Sequence, residues 1–357
     1  MNSLYKRTPF RQIARAYGEL LSASAALKDL SINSQAQALA IQKIAIDIQA
    51  GGARAAPEQS ASPDSPHSEW LRQFAASPDE MLLTDPECYT NWLGLQTDAS
   101  MFNSAEQLRG RVFPQLPVPS DGVYGHDAEY TSLLTAIEGA PNRERFTAIE
   151  LGAGWGPWIS AVGVVCKRRG VKEINLVGVE AHDAKFEMMR EHMTRNGLLN
   201  VNGVNTKLML GAAWKEDTEL HFPKISVKDH GAAATDSPGE TDYRGNAAEH
   251  VAVKAYSVPT ICEGLGRIDY MHWDIQGAEL ATARASIDFL EKNVGYLFIG
   301  THSRAIEGHL LELFYERKWD VVHQKPCVFS YSLHAPSIEA MTQDDGEIFV
   351  RNPHLRD

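Results

Sequence analysis

The chain has 357 residues, 43% hydrophobic and 22% charged, with 46 acidic against 34 basic side chains and a formal net charge of −12. This length and composition suit one large α/β domain with an accessory region. The negative balance, uncompensated by any long Lys/Arg run, repels a polyanion, so nucleic acid is not expected as a partner. No run of about 18 apolar residues is free of charge, so no membrane-spanning helix is expected.

The four cysteines, Cys88, Cys166, Cys262 and Cys327, form neither a CxxC pair nor a dense framework. That argues against a zinc site or a disulfide scaffold and fits a reducing compartment. Lys6, Arg7 and Arg11 precede an apolar stretch, but Ser22 and Ser24 interrupt it and no cleavage context follows. The segment is not read as a signal peptide, and a cytoplasmic location is expected.

In chain order, Ile13, Tyr17, Leu20 and Leu27, then Ile41, Ile44 and Ile48, recur at helical spacing and predict one or two amphipathic helices within residues 1–50. Their apolar stripes need cover from the rest of the chain or from a second copy, which leaves a homo-oligomer open. Residues 51–69 are rich in Gly, Ala, Pro and Ser and read as a flexible linker. Residues 70–141 hold helix-like patches at 70–74 and 130–137, separated by Pro-rich turns, and read as a small helical cap.

From residue 142 onward short apolar runs alternate with amphipathic segments, the pattern of a parallel sheet covered by helices on both faces. Strands are expected at 146–151, 174–179, 206–210, 268–273 and 296–299, with helices at 158–169, 184–196, 278–292 and 305–318. Lys167, Arg168 and Arg169 then fall in the last turn of a helix, where cations complement the dipole. Two further strands at 319–323 and 347–351 complete a seven-stranded, mostly parallel sheet that ends in one antiparallel strand. Extra material at 218–222 and 251–258 reads as a hairpin or edge extension, and its link, 224–250, as either a substrate lid or a disordered connection.

The first of these strands runs into Glu150-Leu151-Gly152-Ala153-Gly154-Trp155-Gly156. Glycines at that spacing let main-chain amides approach a ligand, because no Cβ stands in the way. A dinucleotide fingerprint places its third glycine three residues after the second, where this chain has Pro157, and that departure speaks against a pyrophosphate ligand. An acid at the strand end suits S-adenosylmethionine, whose sulfonium is positive and whose tail is an amino acid. Glu150, Gly152, Ala153, Gly154, Trp155 and Gly156 are therefore the expected cofactor contacts, a ligand-free strand–helix turn being the alternative. The second strand ends at Glu180 and Ala181, placing a carboxylate beside the first turn and within reach of ribose hydroxyls; a helix-capping acid is the other reading. The third strand runs into Gly211-Ala212-Ala213-Trp214, where Ala212 and Ala213 would admit an adenine and Trp214 is either a pocket wall or plain core.

Further along, Ile268-Asp269-Tyr270-Met271-His272-Trp273-Asp274-Ile275-Gln276-Gly277-Ala278-Glu279, taken with the glycine turn, Glu180 and His302, resembles the FkbM-type methyltransferases over roughly residues 147–350. The resemblance implies a Rossmann-like, class I, S-adenosylmethionine-dependent enzyme that methylates hydroxyl groups of sugars or natural products. This chain departs from the family pattern at His272, where Lys is usual, at Gln276, where Glu is usual, and at Gly300 and Thr301, where a further acid is expected before His302.

Methyl transfer needs alignment of the acceptor and removal of one proton. Asp274 is expected to contact the acceptor or the cofactor's methionyl part, and His302 to serve as the base, since imidazole titrates near neutrality. A buried capping acid and a hydrogen-bonded core histidine are the respective alternatives. His272, Gln276, Glu279 and Tyr331 are the expected acceptor contacts, Tyr331 by its place in the alternating run Phe329, Tyr331, Leu333, which also reads as a half-buried strand. Asp274 and His302 could share a divalent ion, but no second Asp or Asn completes the cluster, so no metal is expected. Two other readings compete: a nicotinamide oxidoreductase, which shares the sheet and Glu180, and a non-catalytic binding or assembly module, which the altered His272, Gln276 and Gly300 favour.

Overall fold

The computed structural model describes residues 66–81, 85–101, 105–114, 123–124, 127–227, 229, 231–236, 239 and 249–355. The helices expected within 1–50, most of the 51–69 linker and about half of the 224–250 link lie outside the described residues.

In chain order the elements are α1 (Pro66–Arg72), β1 (Cys88–Asn91), β2 (Gln96–Asp98), β3 (Val112–Phe113), α2 (Asp127–Gly139), β4 (Arg145–Leu151), α3 (Pro157–Arg168), β5 (Glu173–Glu180), α4 (Asp183–Arg195) and β6 (Val204–Leu210). There follow β7 (Ala212–Trp214), β8 (Thr218–Pro223), β9 (His250–Ser257), α5 (Val258–Ile261), β10 (Ile268–Trp273), α6 (Glu279–Asn293), β11 (Val294–Thr301), α7 (Arg304–Glu316), β12 (Asp320–Lys325), β13 (Val328–Phe329), β14 (Thr342–Asp344) and β15 (Gly346–Arg351).

Seven strands form the main sheet in the order β12-β15-β11-β10-β4-β5-β6. All pair in parallel except β15, which runs antiparallel to both neighbours. The last strand in sequence is therefore the reversed one, as expected, but it lies between β11 and β12 rather than at the rim. β12 ends at Lys325 beside Glu347, so the chain already stands at the end of the sheet from which the reversed β15 enters, and the paired β13 and β14 lie in the connection.

Alternation along the central strands sends successive side chains to opposite faces. Phe146 and Ala148 of β4, Tyr270 of β10 and Phe298 of β11 pack with α2, α3 and α4 on one face. Ile149 and Leu151, Met271 and Trp273, and Leu297 and Ile299 pack with α5, α6 and α7 on the other. Glu150 and His272 are partners in the β4–β10 register, and each sits two positions after a residue of the first set, so both point toward α3.

The helix ends follow their local chemistry. Pro157 opens α3, and Lys167 and Arg168 close it. Ser303 caps α7 by accepting the Ile306 amide at 3.2 Å. The region expected to be a helical cap is mixed: α1 and α2 are helices, but between them β2-β1-β3 make a small sheet, and Leu71, Tyr89, Trp92 and Leu133 share a core with β4 and α3. The helical expectation followed the patches at either end and missed a strand pair, Cys88–Asn91 with Gln96–Asp98, too short for alternation to register. The expected hairpin is present, with β8 and β9 antiparallel and β7 beside β9. No helix among the described residues is long and apolar enough to cross a membrane.

Trp273 is fully buried in the centre of the sheet. Trp273→Ala is expected to cost about 3–5 kcal/mol, whereas Val322→Ala on the half-exposed β12 should stay within about 0.5 kcal/mol. Urea unfolding of both variants checks the pair, and equal costs would contradict the layered core described here.

Candidate active site

The C-terminal ends of β4, β5 and β10 meet where the strand order reverses, the place at which open α/β sheets hold ligands. Gly152, Gly154 and Gly156 turn the chain there with φ of 70°, 55° and 72°, values that favour glycine. A Cβ on Gly152 would overlap the Asp274 carbonyl, so strand β10 crowds that position; a Cβ on Gly154 would meet nothing within 4 Å, because Gly154 faces a cleft.

The cleft is lined by Glu150, Gly152, Ala153, Gly154, Trp155, Glu180, Ala181, Ala212, Ala213, His272, Asp274 and Gln276 among others. Of the residues singled out in the sequence, these are brought together, together with Trp214, which is a wall of the cleft rather than plain core. Gly156 sits at the N-cap of α3 behind the turn.

Glu180 accepts the Gly154 amide at 2.7 Å and the His182 amide at 2.7 Å, so its carboxylate fixes the glycine turn. Burial pushes its pKa up against those two bonds. Glu150 is 2% exposed and accepts the amides of Trp158 at 3.4 Å and Ile159 at 2.9 Å. Helix α3 has no side-chain cap of its own, and Glu150 serves that purpose from the strand below. Burial holds the Glu150 carboxyl well above the usual carboxylate range.

Asp274 lies on the cleft with its side chain 46% exposed. Its Oδ1 accepts from Gln276 Nε2 at 2.6 Å and lies 3.2 Å from His302 Nε2; no hydrogen bond holds Oδ2 among the described residues. Burial pushes this carboxyl up, but the His302 bond and charge outweigh it and hold the pKa below its ordinary value.

The expectation that His302 is the base is corrected by its surroundings. His302 does not line the cleft; it is 4% exposed, with Nδ1 2.7 Å from Glu279 Oε1 and Nε2 toward Asp274. Asp345 lies 3.8 Å away on the same side. Burial alone would lower its pKa, yet the Glu279 charge and the bonds to both acids hold it well above the usual histidine range. With both ring nitrogens turned to carboxylates and no place on the cleft wall, His302 is positioned to steady Asp274.

Two expected acceptor contacts are likewise displaced. Glu279 is fully buried at the start of α6, where it accepts the Gly277 amide and His302. Tyr331 is 70% exposed and is absent from the cleft wall, as are Phe329 and Leu333; the alternation of this run belongs to an exposed surface segment. Residues the sequence did not single out include Lys185, Phe222, Ala232 and Ala234, which also line the cleft. Lys185 lies in the first turns of α4 just after Glu180, a spacing that could have found it; the two alanines belong to a link with no readable pattern. Among the described residues no group of three or more His, Cys, Asp or Glu is placed to hold a metal ion.

The strand order, the one reversed strand and the glycine turn at the reversal point define a Rossmann-like, class I methyltransferase fold. No family model matches the chain. It is 29% identical over 290 residues to a protein of Jannaschia sp. (strain CCS1) named "Putative methyltransferase", a likeness that spans 80% of this chain and 98% of the relative. Among solved structures, a precorrin-6y C5,15-methyltransferase from Geobacter metallireducens GS-15 superposes with a TM-score of 0.37 at 9% identity, over 66% of this chain and 93% of its own. A ribosomal protein L11 methylase from Lactobacillus delbrueckii subsp. bulgaricus does so with 0.34 at 12% identity, over 68% and 84%.

Folding raises the His302 pKa from its ordinary 6.5, so the stability it contributes is complete below about pH 6.5 and lost as pH climbs through the folded value. His302→Gln should therefore fall furthest below wild type in mildly acidic urea titrations, with the gap narrowing toward alkaline pH. A gap that widens with rising pH would contradict a protonated His302.

Proposed function

We propose that the chain is an S-adenosylmethionine-dependent O-methyltransferase, similar to the FkbM type, acting on a hydroxyl of a sugar, glycan or natural product. The observation that carries this reading is the acidic lining of the cleft. Three carboxylates, Glu150, Glu180 and Asp274, line it beside an open main-chain turn, an environment that suits a cationic nucleoside and repels a pyrophosphate.

The residues fit such a cofactor. Glu180 stands at the β5 end, where its remaining lone pairs can accept ribose hydroxyls; Ala212 and Ala213 leave room for a flat base, with Trp214 and Phe222 beside them; and the main chain at Gly154 is open to a ligand, since a Cβ there would meet nothing within 4 Å. When bound, the cofactor supplies a methyl carbon activated by positive sulfur. Asp274 does the chain's part for the acceptor: with Oδ1 held by Gln276 and His302, Oδ2 is left to take a hydrogen bond from the acceptor hydroxyl and fix its direction. Because Asp274 stays ionised through the depressed pKa, it receives that bond at any pH near neutrality.

Isothermal titration with S-adenosylhomocysteine and with NAD tests the class: saturable binding of the first and none of the second is expected, and NAD binding alone would replace this reading with an oxidoreductase. Asp274→Asn, assayed with labelled cofactor on fractionated cell glycans and secondary metabolites, should lower kcat by about 10²-fold or more while leaving the S-adenosylhomocysteine Kd within about threefold. Wild-type protein that binds S-adenosylhomocysteine yet labels nothing under any condition would favour the non-catalytic module.

A further inference from the structure

His272 is a buried polar group that the reading above does not use. It is 2% exposed, yet it lines the cleft. Its ring is held flat against Phe298, with centroids 5.1 Å apart and planes 5° apart, and Trp158 closes over it at 5.7 Å. Nε2 lies 3.4 Å from Glu129 Oε1, a contact with α2, and neither ring nitrogen has a hydrogen-bond partner among the described residues. A buried ring nitrogen left unpaired on the wall of a cavity costs stability unless something in the cavity satisfies it.

We propose that His272, backed by Glu129, binds the carboxylate of the cofactor's amino-acid tail, an inference that rests on the S-adenosylmethionine reading of the cleft. The tail carries an ammonium and a carboxylate. The ammonium finds an acid at Glu150; the carboxylate needs a cation or a donor. Among the described residues that line the cleft, the two side chains able to carry positive charge are Lys185 and His272. Lys185 stands at the opposite end, where its charge acts on Glu180 and its Nζ donates to the Asp229 carbonyl at 2.5 Å. His272 stands beside Glu150 in the strand register, at the end of the cleft away from Glu180 and Ala212. With Nε2 facing Glu129, an N–H on Nδ1 is the donor left for the tail. Phe298 and Trp158 fix its plane, so the donor direction is set before the ligand arrives.

The test compares S-adenosylhomocysteine with its decarboxylated analogue, which keeps the nucleoside, thioether and amine, by isothermal titration at fixed pH. His272→Ala is expected to weaken S-adenosylhomocysteine by about tenfold or more, as loss of a charge-assisted bond does, with the analogue changed by less than about twofold. Glu129→Gln, outside the cleft wall, should weaken S-adenosylhomocysteine in the same selective way by a smaller factor. Equal losses for both compounds, or no loss for either, would overturn the assignment, and thermal melts of each variant separate a folding defect from a binding one. Failure of wild-type protein to bind either compound would instead remove the cofactor reading on which the proposal stands.

Discussion

The cleft depends on one contact between strands: the Glu180 carboxylate reaching from the end of β5 to the amide of Gly154. Around it the strand ends are tied by the main chain, with the Ala153 amide donating to Val179 and the Asp274 amide to Leu151, both at 2.9 Å. These bonds hold β4, β5 and β10 in register beyond the point where the sheet ladder stops. The turn they fix runs through left-handed glycines, and one of them is pressed against the Asp274 carbonyl. A side chain on Gly152 would push β10 away and move Asp274 with it, so the backbone that presents a ligand surface also sets the position of the acid proposed to meet the acceptor.

The three carboxylates of the cleft are held in opposite ways. Glu150 and Glu180 face backbone amides, which bond them without supplying a full charge, and burial wins: both pKa values rise. Asp274 faces an imidazolium that two further acids, Glu279 and Asp345, help to keep charged, and its pKa falls. Buried anions without a countercharge are costly; Lys185 supplies one near Glu180, and the Glu150 side of the cleft gains from a cation placed there. The Asp274 side is already balanced and gains most from a neutral hydroxyl. A cationic donor beside a neutral acceptor is the pairing this asymmetry favours.

How far the sequence foretold the molecule follows from what local patterns encode. The strands at 146–151, 174–179 and 268–273 were legible because buried parallel strands read as short apolar runs with turn residues at both ends. The glycine turn, Glu180 and Asp274 were legible because each sits at a strand end, where topology alone converges them. What sequence could not carry was partnership. Nothing local says that β15 inserts between β11 and β12, since that choice belongs to the long return through β13 and β14. Nothing near His302 announces that Glu279 and Asp345 enclose it, so its solution pKa misled the assignment of a base. Tyr331 was chosen for alternation, but the strand there ends at Phe329 and the run beyond it is exposed, with no buried face to alternate against.

The departures from the FkbM pattern become intelligible once the partners are visible. Where that pattern has Glu, this chain has Gln276, at φ 50°, donating its amide to Asp274 Oδ1 at 2.6 Å. A glutamate there could not donate, and it would set a like charge against Asp274 and raise the pKa that His302 works to lower. Gln276 and His302 together saturate Oδ1 and leave Oδ2 as the free acceptor, so the substitution narrows Asp274 to a single direction of approach. The missing acid before His302 is answered in the same manner, because Asp345, arriving from the turn between β14 and β15, stands 3.8 Å from the imidazole. An acid beside His302 thus comes from the turn between β14 and β15, which reading along β11 alone does not find.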